Sequence, residues 1–513
     1  MDGKPMPDRF LRLHPNAKAL LRDVPILAFD RFRDTFLSQV AAGARISAYF
    51  ASPRSSDSAR LLAVLSQPVS ATLAVFATDV GASFPALTPD CPQAHWFERE
   101  IAEQWGVVPQ GHPWLKPIRF HASYAPNRDA WQRRPGDPIR PADWDFFRAQ
   151  GAEVHEVAVG PVHAGVIEPG HFRFQCHGEN VLHLEISLGY QHRGVERTLI
   201  GGPDARSIHR VETLAGDTTI GHAIAHSMAV EALAGIKVPA KAQILRGIML
   251  ELERLANHTG DLGALAGDVG FLPTLSYCGR LRGDFLNMTA LLCGSRFGRG
   301  MVRPGTVRFD ADKERIQRLT EHLDQTMHNV RSAVSLLWET PSVMARFEHT
   351  GALTREAAAA LGLVGVAARA CGLEQDVRTD FPFGVYRFAH VPVSTWDTGD
   401  VFARAWVRWM EIQRSYEFIW DNLMALPEDP LPPLPLGAEL EPDAIVVSLT
   451  EGWRGEICHV ALTDAAGRFA HYKVVDPSFH NWFGVAMALR NQQISDFPLC
   501  NKSFNLSYCG HDL

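Results

Sequence analysis

The stretch that most constrains this chain is Leu184–Asp217, LEISLGYQHRGVERTLIGGPDARSIHRVETLAGD. In it Glu185, His192, Arg193, Glu196, His209, Arg210, Glu212 and Asp217 are interleaved with glycines and apolar residues. At this density the ionisable groups cannot all face water without exposing the hydrophobes between them. Buried, they need partners, because an isolated buried charge costs on the order of several kcal/mol. The rest of the chain must therefore supply an interior with complementary charge. One segment has the right form: in AKAQILRGIMLELERLANHTGDLG, Glu251, Arg254 and His258 fall on one stripe of a helix that is apolar over most of its circumference. That spacing predicts that they point inward and pair.

At 513 residues the chain exceeds one ordinary core, and 46% hydrophobic with 21% charged residues describes a globular protein. A formal charge of −7 and the absence of any Lys/Arg run argue against a nucleic-acid binder. The eight cysteines contain no C-x-x-C pair, which suits reduced, mostly buried thiols better than a disulfide framework. MDGKPMPDRFLRLHP lacks an apolar run, so no secretory leader is expected, and no stretch is long and apolar enough to predict a transmembrane helix.

The fold class predicted is α+β. Residues 1–125 read as a small α/β unit: a helix over Phe29–Ala42, then strands at Ile46–Ala51, Leu61–Leu65 and Thr72–Phe76. In CPQAHWFEREIAEQWGVVPQGHPWLK, Trp96, Ile101 and Trp105 share a helical face with charges opposite, and Gly106 marks the stop. Residues 126–152, rich in Pro, Arg and Asp without periodicity, read as a linker. From 153 to 513 the pattern is mainly helical. It opens on a β-hairpin (Phe172–Cys176 and Val181–Ser187), continues with helices over Thr219–Ala234, Ala240–Thr259, Leu275–Leu292, Ala311–Leu337 and Asp400–Asn422, and passes a stiff PEDPLPPLPL segment. It closes on a small sheet at Ile445–Leu449, Glu456–Leu462 and His471–Val475.

Taken in order, these phrases resemble a known family. HRGVE followed by HRVETLAG resembles the active-site segment of energy-converting NiFe-hydrogenase large subunits and of the homologous quinone-site subunit of respiratory complex I. EREIAEQWGVVPQGHP resembles the small complex I subunit that sits beside it, fused ahead as in formate-hydrogenlyase-type proteins. ELERLANH, GLEQDVRTDFPFGVY, TGDVFARAWVRWMEI and EGWRGE…DPSFHNW have family counterparts in the same order, so the resemblance covers roughly 90–124 and 160–513.

The resemblance also frames what is missing. A NiFe centre needs four thiolates from two C-x-x-C pairs. Here the first pair of positions holds Glu212 and Ala215, and the second, aligned on SFNLSYCGHDL, holds Ser507 and Gly510, with Cys509 one residue off. No metal is expected, and no tail of the kind that hydrogenases lose after metal insertion. In complex I a loop GPxHPxxHG and a tyrosine bind the quinone headgroup. GPVHAGVIEPGH keeps the first histidine as His163, places Ile167 at the second with His171 four residues on, and has Thr213 at the tyrosine position.

What the resemblance implies is a subunit of a membrane-associated, NADH dehydrogenase- or hydrogenase-like oxidoreductase in NAD- and quinone-linked electron transport. It would sit peripherally on the cytoplasmic side of the inner membrane, with an iron–sulfur small subunit and antiporter-like membrane subunits as partners. His192, Arg193, Glu196, Arg210, Glu212 and Asp217 are the candidates for charge or proton coupling, and His163, His171 and Thr213 for a quinone. No cofactor is expected on this chain itself other than a quinone. Glu212 is expected within reach of Arg210, His192 or His209. The alternatives are a scaffold without redox chemistry, a quinone-reducing subunit with altered residues and, least favoured, a hydrogenase with substitute ligands.

Overall fold

The computed structural model describes residues 9–54, 58–134, 136–163, 167–431, 433, 437 and 439–513. The expectation of no leader falls in part on residues 1–8, and that of a stiff segment in part on 432 and 434–436, which lie outside the described residues.

The architecture is α+β, as the pattern predicts. Alternating apolar runs in the N-terminal region form a five-stranded sheet in which Thr72–Val80 pairs with Ala59–Gln67 and Leu11–Leu13, Arg45–Pro53 extends the far side, and Ile26–Leu27 lies parallel to Thr72–Val80. The helix Phe29–Ala41 covers one face through Phe32 and Phe36, whose rings pack on Phe76 and Tyr49. Val154–Val159, His171–His177 and Asn180–Ser187 form a three-stranded sheet, one strand more than the hairpin pattern reveals. Long helices follow at Thr219–Ala234, Ala240–Asp268, Leu272–Cys293, Lys313–Trp338 and Val401–Met424. Ala444–Gly452, Gly455–Thr463 and Phe469–Val475 make an antiparallel sheet with Thr219–Ala234 packed on it. Among the described residues no helix is long and apolar enough to cross a membrane.

Two findings differ from the sequence reading. Lys18–Leu20 leaves the N-terminal unit and becomes the fourth strand of the C-terminal sheet, pairing with Ala444–Val446, whose edge would otherwise expose unpaired backbone groups. And the helix His95–Trp105, read as amphipathic, is buried on every side. Its charges do not face water because surrounding loops satisfy them. Glu98 accepts from the Leu87 and Thr88 amides, Glu103 from the Ile118, Arg119 and Phe120 amides, and Arg99 donates to the Lys116 and Pro117 carbonyls. Glu100 binds Arg119 and, across the molecule, Lys473 (2.6 Å). The charged half of EREIAEQWG is thus an adaptor between loops.

Residues 126–152 contain no helix or strand and no buried residue among those described. The expected outcome of mild proteolysis is a first cut in this stretch, because exposed backbone without sheet or helix bonding is where proteases bind. The two pieces are expected to co-elute on gel filtration, held by the shared sheet and the buried Glu100–Lys473 pair. A first cut elsewhere, or pieces that separate without denaturant, would refute this arrangement.

Candidate functional site

The Leu184–Asp217 stretch packs against the Asn505–Leu513 segment, whose Leu513 carbonyl accepts from the Arg193 and Gly194 amides, and its charges are spent on this segment, on its own loop and on neighbouring strands. His192 places Nδ1 2.7 Å from the Asp512 carbonyl and Nε2 3.2 Å from the Tyr124 hydroxyl, with His121 stacked on its ring at 4.4 Å. The Asp512 carboxylate accepts from the Gly189 and Gln191 amides (2.8 and 2.9 Å). Arg193 donates to the Thr213 and Leu214 carbonyls (2.8 and 3.1 Å) and so clamps the loop that carries Glu212. Glu196 binds Lys473 (2.9 Å) and the Val474 amide (2.9 Å). Glu185 binds Lys116 (2.8 Å) at the other end.

Glu212 ends the short helix Ser207–Val211 and turns inward, with its side chain 3% exposed. One carboxylate oxygen accepts from the Gly300 amide (2.7 Å) and lies 3.4 Å from Arg303; the other lies 3.2 Å from His209 Nδ1. Of the three partners expected from sequence, only His209 is there. Arg210 points away, to the Thr198 carbonyl and to Asp204 at 3.6 Å, because it occupies the outer side of that one-turn helix, and His192 is held by Asp512.

Asp217 lies with a second set of groups. Arg454 grips its carboxylate with two bonds (2.6 and 2.9 Å), and Asn257 and Trp453 donate to its carbonyl (both 3.0 Å). The turn that carries Arg454 is reached by close packing. At Gly365 (φ +62°) a Cβ would lie 2.0 Å from the Arg454 carbonyl, so only glycine fits. Nearby, Ser507 caps its own turn by accepting from the Gly510 amide (2.9 Å), and a Cβ on Gly510 would lie 2.6 Å from Asp476 Cγ. The Asp476 carboxylate, fixed by the Ser478 amide (2.8 Å) and His222 (3.0 Å), fills the space beside Gly510. All eight cysteines are free thiols; Cys509 is half-buried, and burial raises it to about 11, so it is no thiolate.

The stripe on Ala240–Asp268 does point into the core. Arg254 binds Glu251 (2.9 Å), His258 Nε2 lies 2.7 Å from Glu411, and Tyr386 and Ser415 donate to Glu251 (both 2.6 Å). Arg369 bridges Glu411 and Glu451 (both 2.7 Å), and Arg378 bridges Asp376 (2.6 Å) and Glu251 (3.2 Å). Burial alone would raise Glu251, but Arg254 and Arg378 bring it down to about 2. Burial and then Asp376 push Glu451 up to about 7. Sequence reading found the helical stripe but missed Arg369, Asp376, Arg378, Glu411, Glu451, Arg454 and Asp476. All but Arg369, which precedes them, had one signal: a place inside the phrases GLEQDVRTDF, WMEI, EGWRGE and DPSFHNW.

The residues expected at a quinone are engaged locally. His163 Nε2 lies 3.0 Å from the Gly170 carbonyl, His171 lies 3.3 Å from the Gly160 carbonyl and accepts from Arg173 (3.1 Å), and the Thr213 hydroxyl donates to the Arg210 carbonyl (2.8 Å). Ile167 is 52% exposed. Among the described residues no cluster of three or more His, Cys, Asp or Glu is placed to hold a metal.

Comparison with known proteins gives the same two parts in the same order. Residues 17–140 match the family described as respiratory-chain NADH dehydrogenase, 30 Kd subunit, and residues 268–433 the 49 Kd subunit. Formate hydrogenlyase subunit 5 of Escherichia coli is 29% identical over 438 residues, 83% of this chain and 76% of its own length. A carbon monoxide-induced hydrogenase of Rhodospirillum rubrum is 30% identical, over 68% of this chain and 97% of its own. NADH-quinone oxidoreductase subunit 4 of Thermus thermophilus is 29% identical, over 67% of this chain and 90% of its own.

The buried titrating groups set a pH dependence. Burial lowers His112, His192, His226, His258 and His471 to about 4 and His480 to about 3, from an ordinary 6.5. The unfolded chain therefore binds protons there that the native chain does not, and stability falls as pH drops from 6.5 towards 4. Burial raises Glu98 and Glu451 to about 7 and Glu253 to about 8, from 4.5, so their contribution is lost as pH rises through 7 to 8. Six histidines outweigh three glutamates on the acid side. The urea midpoint is expected to peak near the histidines' ordinary 6.5, fall steeply towards pH 5 and shallowly towards pH 8. A midpoint that holds or rises between pH 6.5 and 5 would show that the histidines are not kept neutral.

Proposed function

Since this chain belongs to the family of the carbon monoxide-induced hydrogenase and formate hydrogenlyase subunit 5, with 30 Kd-type and 49 Kd-type respiratory segments in one polypeptide, we propose that it couples charge without a NiFe centre of its own. It is a subunit of a complex I- or energy-converting-hydrogenase-type assembly. In this reading its partners are an iron–sulfur small subunit and antiporter-like membrane subunits, and it docks peripherally on the cytoplasmic face of the membrane.

The observation that carries the metal-free reading is the occupant of the place beside Gly510. A cysteine there would collide with the Asp476 carboxylate, which His222 and Ser478 hold in position. Glu212, Ala215, Ser507 and Gly510 offer one carboxylate and one hydroxyl, both already bonded within the chain. This donor set does not fit a nickel–iron group, which needs soft sulfur ligands. Carboxylates hold the position instead: Glu212 between Gly300, Arg303 and His209, and Asp217 and Asp476 beside Arg454. A change of charge on an adjacent iron–sulfur partner acts on such groups directly, by shifting protons or ion pairs. Arg193 and Arg210 position the loop; Glu212 and Asp217 bear the charge that responds.

The scaffold reading draws support from one feature: His163, His171 and Thr213 have all their bonds inside the chain, which leaves no ready quinone donors. Two measurements decide. Elemental analysis of the purified complex is expected to find far less than one nickel per chain, and a stoichiometric amount would sink the metal-free reading. Glu212→Gln keeps the shape and removes the charge. In the assembled complex it is expected to slow electron-driven ion transport roughly tenfold or more. A wild-type rate would make Glu212 structural and favour the scaffold.

A further inference from the structure

The helix Thr219–Ala234 carries His222 and His226 one turn apart on the face that packs against the C-terminal sheet. On that sheet the antiparallel register sets His459 opposite Val474 and Ala461 opposite Tyr472, so His459 and Tyr472 share the face turned to the helix. With Asp476, the next residue after the Phe469–Val475 strand, they make an unbroken hydrogen-bonded chain. Asp476 Oδ2 lies 3.0 Å from His222 Nε2, His222 Nδ1 3.1 Å from His459 Nε2, His459 Nδ1 2.9 Å from the Tyr472 hydroxyl, and that hydroxyl 2.8 Å from His226 Nδ1. All five residues are at most 1% exposed.

We propose that His226, Tyr472, His459, His222 and Asp476 form a reversible proton-transfer path through the core. It runs from the His226–Tyr472 pair, whose tyrosine lines a cavity of about 430 Å³, to the carboxylate beside Gly510. One arrangement of hydrogens satisfies all four bonds with neutral rings. His226 Nδ1–H donates to the Tyr472 oxygen, Tyr472 O–H to His459 Nδ1, His459 Nε2–H to His222 Nδ1, and His222 Nε2–H to the Asp476 carboxylate. A proton taken up at His226 Nε2 then moves each of these four hydrogens across its bond. One N–H forms at His226 Nε2, one O–H forms at Asp476, every ring between is again neutral, and the reverse motion restores the start. No oxidant or reductant is involved.

Packing alone does not call for this set. Three imidazoles and a phenol buried in the core lose their hydration and recover it from one another and from Asp476, whereas apolar side chains of similar volume would fill the space without that cost. Burial keeps His226 down at about 4 and lowers His459 as well, so both are neutral carriers at neutral pH. At the far end, burial would raise Asp476, but His222 and Arg454 hold it below the ordinary carboxylate range, and Asp217 shares Arg454. At the near end Glu196, bound to Lys473, and His471 line the same cavity as Tyr472.

The path gives the coupling reading a route, and it rests on that reading only for its use. The test reads the hydrogens themselves, in the full-length chain labelled with nitrogen-15 histidine, by the solvent exchange of the ring N–H groups. Tyr472→Phe removes one oxygen from the middle of the chain. It is expected to slow exchange at His459 and His222 by roughly tenfold or more, with backbone amide exchange in Gly455–Thr463 unchanged as the check on folding. His459→Gln breaks the next bond and is expected to slow His222 alike. Unchanged exchange at His222 in either folded variant overturns the path. Slowed exchange in these variants, together with a Glu212→Gln complex that works at full rate, would sink the coupling reading and leave the path standing.

Discussion

The interior of this protein depends on one buried network of arginines and carboxylates. Arg254, Arg369 and Arg378 face Glu251, Asp376, Glu411 and Glu451 with no water-exposed member. Removing one partner from such a set leaves a charge stranded and costs about 3–5 kcal/mol. The residues come from four separate places: the helix Ala240–Asp268, the 365–380 region, the helix Val401–Met424 and the strand Ala444–Gly452. Their relative positions are therefore fixed by charge as much as by packing. Three arginines facing four carboxyl groups also leave room for one proton. Glu451, at about 7, is the member that takes it most readily.

That frame sets the site. Glu451 is followed by Gly452 and Trp453 and then by Arg454, so the strand end pinned by Arg369 delivers the guanidinium that holds Asp217. The opposite wall is set by Asp512, whose carboxylate ties the Gly189–Gln191 backbone to the Asn505–Leu513 segment. Between these walls, in the reading proposed here, fixed carboxylates stand where relatives of the hydrogenase type would place thiolates. A thiolate set binds metal; a carboxylate–arginine set answers a neighbouring charge. On that proposal the same scaffold serves a different electrical purpose, and the proposed imidazole path to Asp476 would give that charge a way to move.

Much of this was legible in the residues. Helical periodicity located the long helices, and the Glu251–Arg254–His258 stripe foretold an internal ion network because an apolar helix leaves charges nowhere else to go. The strands over 46–76 and 445–475 followed from alternation and turn residues. What stayed hidden depends on partners distant in sequence. His95–Trp105 reads as amphipathic because its loop amides and Lys473 cannot be seen from its own pattern. Lys18–Leu20 has too few residues to announce a strand, and its partner lies more than 400 residues away. Of the partners expected for Glu212 (Arg210, His192 or His209), the structure supplies His209, because the one-turn helix carries Arg210 to its outer side and Asp512 holds His192. The histidine chain was not read from sequence: His222 and His226 lie one turn apart within Thr219–Ala234, but their partners His459 and Tyr472 come from two strands of the C-terminal sheet.

The central claim is that carboxyl groups of this subunit, and no metal on it, answer the redox state of the iron–sulfur partner. The most direct measurement is the redox-difference infrared spectrum of the assembled complex, recorded on reducing the partner's clusters in ordinary and in heavy water. A deuterium-sensitive change in the carboxylic-acid carbonyl band is expected, and it disappears in Glu212→Gln or Asp217→Asn. A spectrum with no carboxyl change in the wild-type complex, while its clusters are fully reduced, would contradict that claim.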